Sequence, residues 1–458
     1  MLSLVPLLAA LAAACAAQPF DWGLPPGFPA PYVPPDNPMS AAKVELGRRL
    51  FYDTRLSVNG AQSCASCHRQ ELAFTDGLAR AKGTTGEQHP RSSMSLINAA
   101  FAPSLTWADP ALVELEAQAL VPMFGTDPVE LGLKGQEARL LADLRADPLY
   151  RRLFAEAFPG QPQPATIANI TKALAAFQRT LVSARSPYDR YRYGGDPSAI
   201  SEAAKRGERI FFSGEKAGCF QCHGGWNFAG PVRHQGRPGI ETEFHNTGLY
   251  ERYPEPNTGL ARHTRNPADA GKFRAPTLRN IAVTAPYMHD GSIATLEEAI
   301  AHYAAGGRAR TNPRRSPILR PLNLTAAEKE DLIAFLHSLT DHEALRDPRW
   351  ANPWPARRAA APPQSFWSMT SVDLITAVTV SPFLSPSSSA LRRVMTLSMT
   401  FFPTRTLTWA ITSPSRISMI FPVNWFLADK AIPGLYHSSH RRGKPFRASL
   451  LTSPEVLP

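Results

Sequence analysis

Outside its first residues, the 458-residue chain has no apolar run approaching the roughly 18–20 residues needed to cross a bilayer, which excludes an integral membrane protein. Charged residues are only 19% and aromatics 9% against 43% hydrophobic, so the bulk is neither a coiled coil nor a disordered tail. A basic stripe is also missing. The net charge of +11 divides unevenly: residues 362–458 hold nine Lys/Arg and three acids, leaving 40 basic and 35 acidic residues in 1–361. Those 40 are scattered among acids and cannot track phosphates, which argues against nucleic acid. No sustained alternation of apolar and polar residues appears, so strands are not expected either. Cysteine is scarce: Cys15, Cys64, Cys67, Cys219 and Cys222 are the only five.

The chain opens on LSLVPLLAALAAACAA (2–17), with the apolar centre and small-residue cleavage zone of a secretory signal peptide but no Lys or Arg before it. Leu11-Ala-Ala-Ala-Cys15 also resembles a loose lipobox, in which Cys15 would carry a lipid. Either reading exports the mature protein to the periplasm. Residues 19–38 contain eight prolines and predict an extended arm (18–39). Length allows two or three domains. A short repeat sets their frame: Lys43-VELGRRLFY-Asp53 matches Ala203-AKRGERIFF-Ser213, with Gly47 over Gly207. Cys64 follows the first glycine by 17 residues and Cys219 follows the second by 12. Amphipathic helices are further predicted over 165–183 and 325–339, the latter opened by a Thr325/Glu328 capping box. The fold class is mostly α: two related helical domains, 40–195 and 196–345, and a tail, 346–458. Beyond about residue 361 there are 26 Ser/Thr and frequent prolines but no cysteine, which reads as a segment unrelated to the core, disordered or translated out of frame; a small accessory domain is the alternative.

Cys64-Ala-Ser-Cys67-His68 and Cys219-Phe-Gln-Cys222-His223 carry the chemistry. In C-x-x-C-H, two thiols on one helical turn can form thioethers to the vinyl groups of one haem, and the following His turns its ring onto the iron. A zinc ribbon, a redox dithiol and a disulfide pair are the rivals. None requires His directly after the second Cys, and here it occurs twice. Two covalent c-type haems follow, with Cys64, Cys67, Cys219 and Cys222 as attachment points and His68 and His223 as iron ligands. A carrier of single electrons needs far less chain.

The stretch from Phe273 to Gly307, FRAPTLRNIAVTAPYMHDGSIATLEEAIAHYAAGG, joins short turns, a His-Asp-Gly corner and a helix. At this point the chain resembles the bacterial di-haem cytochrome c peroxidase/MauG superfamily over about residues 36–345. The fragments DNPMSAAKVELGRRLFYD, QSCASCHRQELAFTDG, QALVPMFG and FHNTGLY are most similar to its MbnH-like branch. That resemblance implies two cytochrome c-like domains, each with one haem. It implies a periplasmic copper-binding partner and further site residues. In the peroxidases a Met lies fourteen residues after the His of the P-Y-[FM]-H corner, and in MauG-like proteins a Tyr; counting from His289 gives Tyr303. Phenolate ligation favours oxidised iron. The alternative reading makes Tyr303 helix packing and Met288 or His289 the sixth ligand. Trp107, 40 residues after Cys67, falls at the family's inter-haem tryptophan, and Gln118, Pro122 and Glu130 fall in W-x(10)-Q-x(3)-P…E-L-G, which lines the open face of the first haem. Glu130 is then the acid/base for peroxide. Where reductively activated peroxidases place a His ligand, Thr84 stands here; His89, five residues on, is expected to cap or pack its loop. The family's calcium site would use the carbonyls of Thr284 and Pro286, although its Asn ligand matches Ser92.

The implied activity is a hydrogen peroxide-driven di-haem oxidase that oxidises a partner protein, at a tryptophan in the MauG/MbnH manner. The alternatives are a cytochrome c peroxidase served by a small electron donor, and a non-catalytic di-haem electron-transfer protein.

Overall fold

The computed structural model describes residues 20–355 in full and the backbone of 395–401, 405–413 and 416–419. The leader with Cys15 lies outside the described residues, as does most of the tail. Two compact units are distinguished, 1–357 and 358–458.

The first unit is mostly helical. Its principal helices are α1 (Ala41–Phe51), α2 (Glu137–Ala146), α3 (Pro148–Ala157), α4 (Ile167–Arg179), α5 (Pro187–Arg192), α6 (Glu202–Phe212), α7 (Leu296–Ala304) and α8 (Ala326–Ser338). Each helix of the repeat begins at a serine that satisfies an orphan amide: Ser40 accepts from the Lys43 amide and Ser201 from the Ala204 amide. The expected capping box is present, with Thr325 and Glu328 satisfying each other's amides at the start of α8.

The repeat is structural as well as textual. α1 packs across α4, and α6 packs across α8. A Cβ on Gly47 would stand 1.9 Å from the Ala173 carbonyl oxygen and 2.9 Å from the Phe177 Cβ; on Gly207 it would stand 2.0 Å from the Asp331 carbonyl oxygen and 2.8 Å from the Phe335 Cβ. Glycine is there because only a bare backbone lets the two helices approach so closely. Each crossing anchors a core. Leu46, Leu50, Phe51 and Phe177 belong to the first, and Ile210, Phe211, Leu332 and Phe335 to the second.

A buried polar network ties the two lobes together. Asn98 donates to the Ser183 carbonyl at 3.2 Å and to Asn227 Oδ1 at 2.9 Å. Asn280 donates to Ser183 Oγ at 3.0 Å, and one Asp341 oxygen accepts from the amides of Ala184 and Arg185. Fully satisfied buried networks of this kind rigidify the core and specify one arrangement of it. The proline-rich arm runs against the same body: Asn37 bonds Glu116 and the Lys172 carbonyl, while Phe28 packs edge-on against Trp226.

Packing continues past residue 345, where the tail was expected to begin. Trp350 is buried against Phe74, the Tyr52 hydroxyl donates to its carbonyl at 2.8 Å, and the Trp354 indole donates to the Arg49 carbonyl at 3.1 Å. Two large aromatics bury too much apolar area to be left in solvent.

Besides a two-stranded pair in the first unit, β1 (Phe244–His245) with β2 (Phe273–Arg274), the backbone forms a sheet in the second unit. There β3 (Met395–Phe401), β4 (Arg405–Ser413) and β5 (Arg416–Met419) pair antiparallel in that order, Met395 opposite Ile411 and Trp409 opposite Met419. This corrects the expectation of a stretch without strand period. Met395, Leu397, Met399 and Phe401 alternate with Thr396, Ser398 and Thr400, a period of two over one strand length.

Candidate active site

Both C-x-x-C-H segments lie on single helical turns, Cys64–Cys67 and Phe220–His223. His68 Nδ1 meets the Phe74 carbonyl at 2.8 Å; His223 Nδ1 meets those of Phe228 and Pro276, each at 3.1 Å. A carbonyl can only accept, so each ring carries its proton on Nδ1 and presents Nε2 as the ligating atom. Phe74 and Phe228 both adopt the left-handed conformation, φ 60° and 51°. Bulky residues rarely do so, and here the turn aims each carbonyl back at its histidine. Burial lowers the His68 pKa and brings that of His223 down to about 4, so both rings are neutral. The four cysteines form no disulfide, and burial is the chief influence on each thiol, pushing Cys64, Cys67 and Cys219 up to about 12 and Cys222 to about 11.

One cavity of about 560 Å³ reaches from Cys67 and His68 past Trp107 to Cys222, His223 and Tyr303. A smaller one of about 70 Å³ adjoins the first motif and is lined by Cys64, His68, Gln118, Pro122 and Glu130. Within this protein, two guanidinium groups on the larger cavity support the fit to haem. Arg274 and Arg91 are both held down at about 10, chiefly by burial, and among the described residues neither pairs with a carboxylate. Haem propionates are the anions such groups would take. Thiol pairs, neutral ring nitrogens and half-buried cations without an ion pair therefore suit two covalent haems, with Cys64, Cys67, His68 and Cys219, Cys222, His223 holding them.

Most, but not all, of the remaining expected residues lie on that space. Gln118, Pro122 and Glu130 converge on the first motif. Burial raises the Glu130 carboxyl to about 7, within reach of either protonation state near neutrality. Thr84 bonds Asn59 and the Glu130 backbone, while His89 Nδ1 accepts from the Arg91 amide at 3.0 Å and so caps its own loop. The Trp107 indole donates to the Ser92 carbonyl at 3.0 Å. Tyr303 lines the larger cavity with Cys219, Cys222 and His223, and its phenol pKa is raised first by burial and then by the Cys222 and Cys219 thiols. His289 instead stacks on Phe273, ring centroids 3.8 Å apart. Thr284 and Pro286 line the larger cavity, and the described residues hold no cluster of three or more His, Cys, Asp or Glu able to bind a metal ion. Sequence reasoning missed Phe74, Phe228, Arg91 and Arg274. A phenylalanine follows each motif histidine by six or five residues, and that recurrence was the available signal.

Comparison with known proteins agrees with this geometry. The profile of the di-haem cytochrome c peroxidase family matches residues 41–197. The cytochrome-c peroxidase IdrP1 of Denitromonas iodatirespirans is 38% identical over 372 residues, covering 74% of this chain and 92% of that protein. The methylamine utilization protein MauG of Methylorubrum extorquens is 36% identical, covering 67% and 80%. A solved structure, described as a MauG-like protein associated with microbial copper homeostasis, is 48% identical with a TM-score of 0.71, covering 73% of this chain and all of that one.

Proposed function

Since the chain belongs to the di-haem cytochrome c peroxidase and MauG family and is a peroxidase-type oxidoreductase, we propose that it uses hydrogen peroxide to oxidise a tryptophan of a partner protein. The observation that carries the reading is Tyr303, at the second C-x-x-C-H where a peroxidase of simple turnover would present a methionine. The structural relative tied to copper homeostasis supports a copper-binding protein as that partner. We place the enzyme in the periplasm, exported by its leader and anchored by lipid if Cys15 is modified.

Bound haem supplies the redox chemistry; the chain's own groups direct it. Reduction of peroxide consumes two electrons and two protons and yields two waters. Glu130 takes a proton from one peroxide oxygen and returns it to the other, which a carboxyl near pKa 7 can do in both directions. Gln118 and Pro122 shape the small cavity beside it. Trp107, on the cavity joining the two sites, carries oxidising equivalents between them, and Tyr303 would help hold the second haem, where its phenolate would favour their retention. The carbonyls of Thr284 and Pro286 are proposed as calcium ligands; among the described residues neither accepts a hydrogen bond.

Tyr303→His tests the reading. Both haems should remain attached while peroxide-dependent modification of the partner's tryptophan, read by mass spectrometry, is lost. Full retention of that modification would overturn it. The second reading, a peroxidase drawing electrons from a small donor, is favoured by the relatives named cytochrome c peroxidase; turnover with a reduced small cytochrome and no tryptophan modification would establish it.

A further inference from the structure

From the two glycines that end α7, three residues beyond Tyr303, the chain enters a loop with a one-sided composition. Residues 306–322, GGRARTNPRRSPILRPL, contain Arg308, Arg310, Arg314, Arg315 and Arg320 and no acid. None of the five forms an ion pair within the described residues. Arg308 reaches only the Ser292 carbonyl at 3.5 Å, Arg315 the Gly306 carbonyl, and Arg320 the carbonyls of Gly214 and Glu215. The carboxylate of Glu251 touches the loop through the Thr311 hydroxyl at 2.6 Å, not through an arginine. Arg308, Arg310, Arg314 and Arg320 are exposed. Elsewhere on this protein cations are commonly matched, as Lys216 is by Glu328 and Arg262 by Asp127.

The loop closes on the second site. The Leu322 amide donates to the Ala304 carbonyl at 2.8 Å, one residue past Tyr303, and Leu319 and Arg320 line the cavity that holds Cys222 and His223. Around its tip stand exposed apolar side chains: Ile318 at 39%, Phe212 at 39% and Phe220 at 37%, the last lying between Cys219 and Cys222. Phe212 and Phe220 have ring centroids 6.3 Å apart. The Arg320 bond to Gly214 at 2.7 Å ties the loop to the turn that follows Phe212.

We infer that the 306–322 loop and the Phe212/Phe220/Ile318 edge form the docking surface for an acidic face of the partner protein. This rests on the reading that the oxidised residue lies outside the chain. An apolar centre rimmed by unmatched cations recruits a complementary partner by charge and seats it by burial. The loop is continuous with the helix carrying Tyr303, so a partner held there stands against the second site, where equivalents leave.

The test uses the haem-loaded full chain and two fluorescein-labelled peptides, one glutamate-rich and one lysine-rich, each with a single tryptophan. Binding is read by anisotropy. The acidic peptide should bind and the basic one should not. Arg310→Glu with Arg314→Glu should weaken binding on the order of tenfold, and Ile318→Ser should weaken it further. Lys134→Glu with Arg152→Glu, the same charge change on the first lobe, should leave binding unchanged. Salt well above physiological strength should remove the difference between the peptides. Equal loss in both double variants, or equal binding of both peptides, would overturn the docking surface, as would binding of anionic vesicles at this loop without binding of the peptide. Peroxide should also quench the bound peptide's indole, two electrons leaving the indole side for each peroxide reduced. Site-specific binding without that loss would keep the docking surface and remove the tryptophan reading.

Discussion

The Trp107 indole nitrogen donates to the Ser92 carbonyl at 3.0 Å, and the Ser92 amide in turn donates to the His289 carbonyl at 3.0 Å. The ring is thus pinned on the wall of the cavity that reaches both histidines, with its orientation set by backbone from the P-Y-M-H corner.

Trp107→Phe keeps most of the aromatic area and deletes one hydrogen bond, so stability should fall by about 1 kcal/mol. A phenyl ring is far harder to oxidise. In stopped flow, peroxide should still consume the first haem's ferric signal while the second haem's response lags or disappears. Both haems responding together at the wild-type rate would make Trp107 a packing residue.

Glu130 gives the pH dependence. Burial raises its carboxyl to about 7 in the folded protein from an ordinary value near 4.5. The folded state therefore holds this proton more tightly than the unfolded one. Its contribution to stability is present in full below about pH 4.5 and is lost as pH rises through 7. Glu130→Gln should flatten that decline, measured as melting temperature from pH 5 to 8.5. The peroxide step should speed up through pH 7 in the wild type, as the base form appears. In the variant it should be pH-independent and slower by roughly 10²–10⁴-fold.

Gly207 marks the α6–α8 crossing. Gly207→Ala forces a methyl to within 2.0 Å of the Asp331 carbonyl oxygen, backbone that cannot swing aside. Destabilisation of about 3 kcal/mol is expected in thermal melts, at the upper end for overpacking. Gly214→Ala, where nothing lies within 4 Å, should change little.

We propose that the functional unit ends between residues 355 and 361, just past its last described residue. Truncation after Ala361 should leave haem attachment and peroxide reactivity intact. Truncation after Leu345 removes Trp350, 4% exposed, along with its contacts to Phe74 and Tyr52, and should cost several kcal/mol as large buried aromatics do. Comparable melting temperatures for the two truncations would contradict this boundary.

The anchoring chemistry was legible because it is local. C-x-x-C-H is complete within five residues, and the Gly47/Gly207 repeat needs only a helical period and one invariant requirement for space. Tyr303, Gln118, Pro122 and Glu130 were readable only through spacing relative to a family pattern, yet the fold does bring them to the expected cavities. What stayed hidden depends on contacts distant in sequence. Phe228 serves His223 through a left-handed turn no propensity favours, and Arg274 and Arg91 gain meaning only once the fold sets them on the larger cavity with no ion-paired carboxylate among the described residues. Trp350 was read into the tail because its partner, Phe74, lies more than 270 residues earlier. The strands at 395–419 were missed for a different reason: their alternation was present but masked by the prolines around it.

We propose that the first site is open for peroxide while the second is closed by Tyr303. Thr84 bonds Asn59 and lines neither cavity, and Tyr303 lines the larger one together with Cys219, Cys222 and His223. Electron paramagnetic resonance of the resting ferric holoprotein tests it most directly. One high-spin and one low-spin centre, in equal amounts, is the predicted spectrum. Two low-spin centres would mean that both irons are fully ligated and would contradict an open first site.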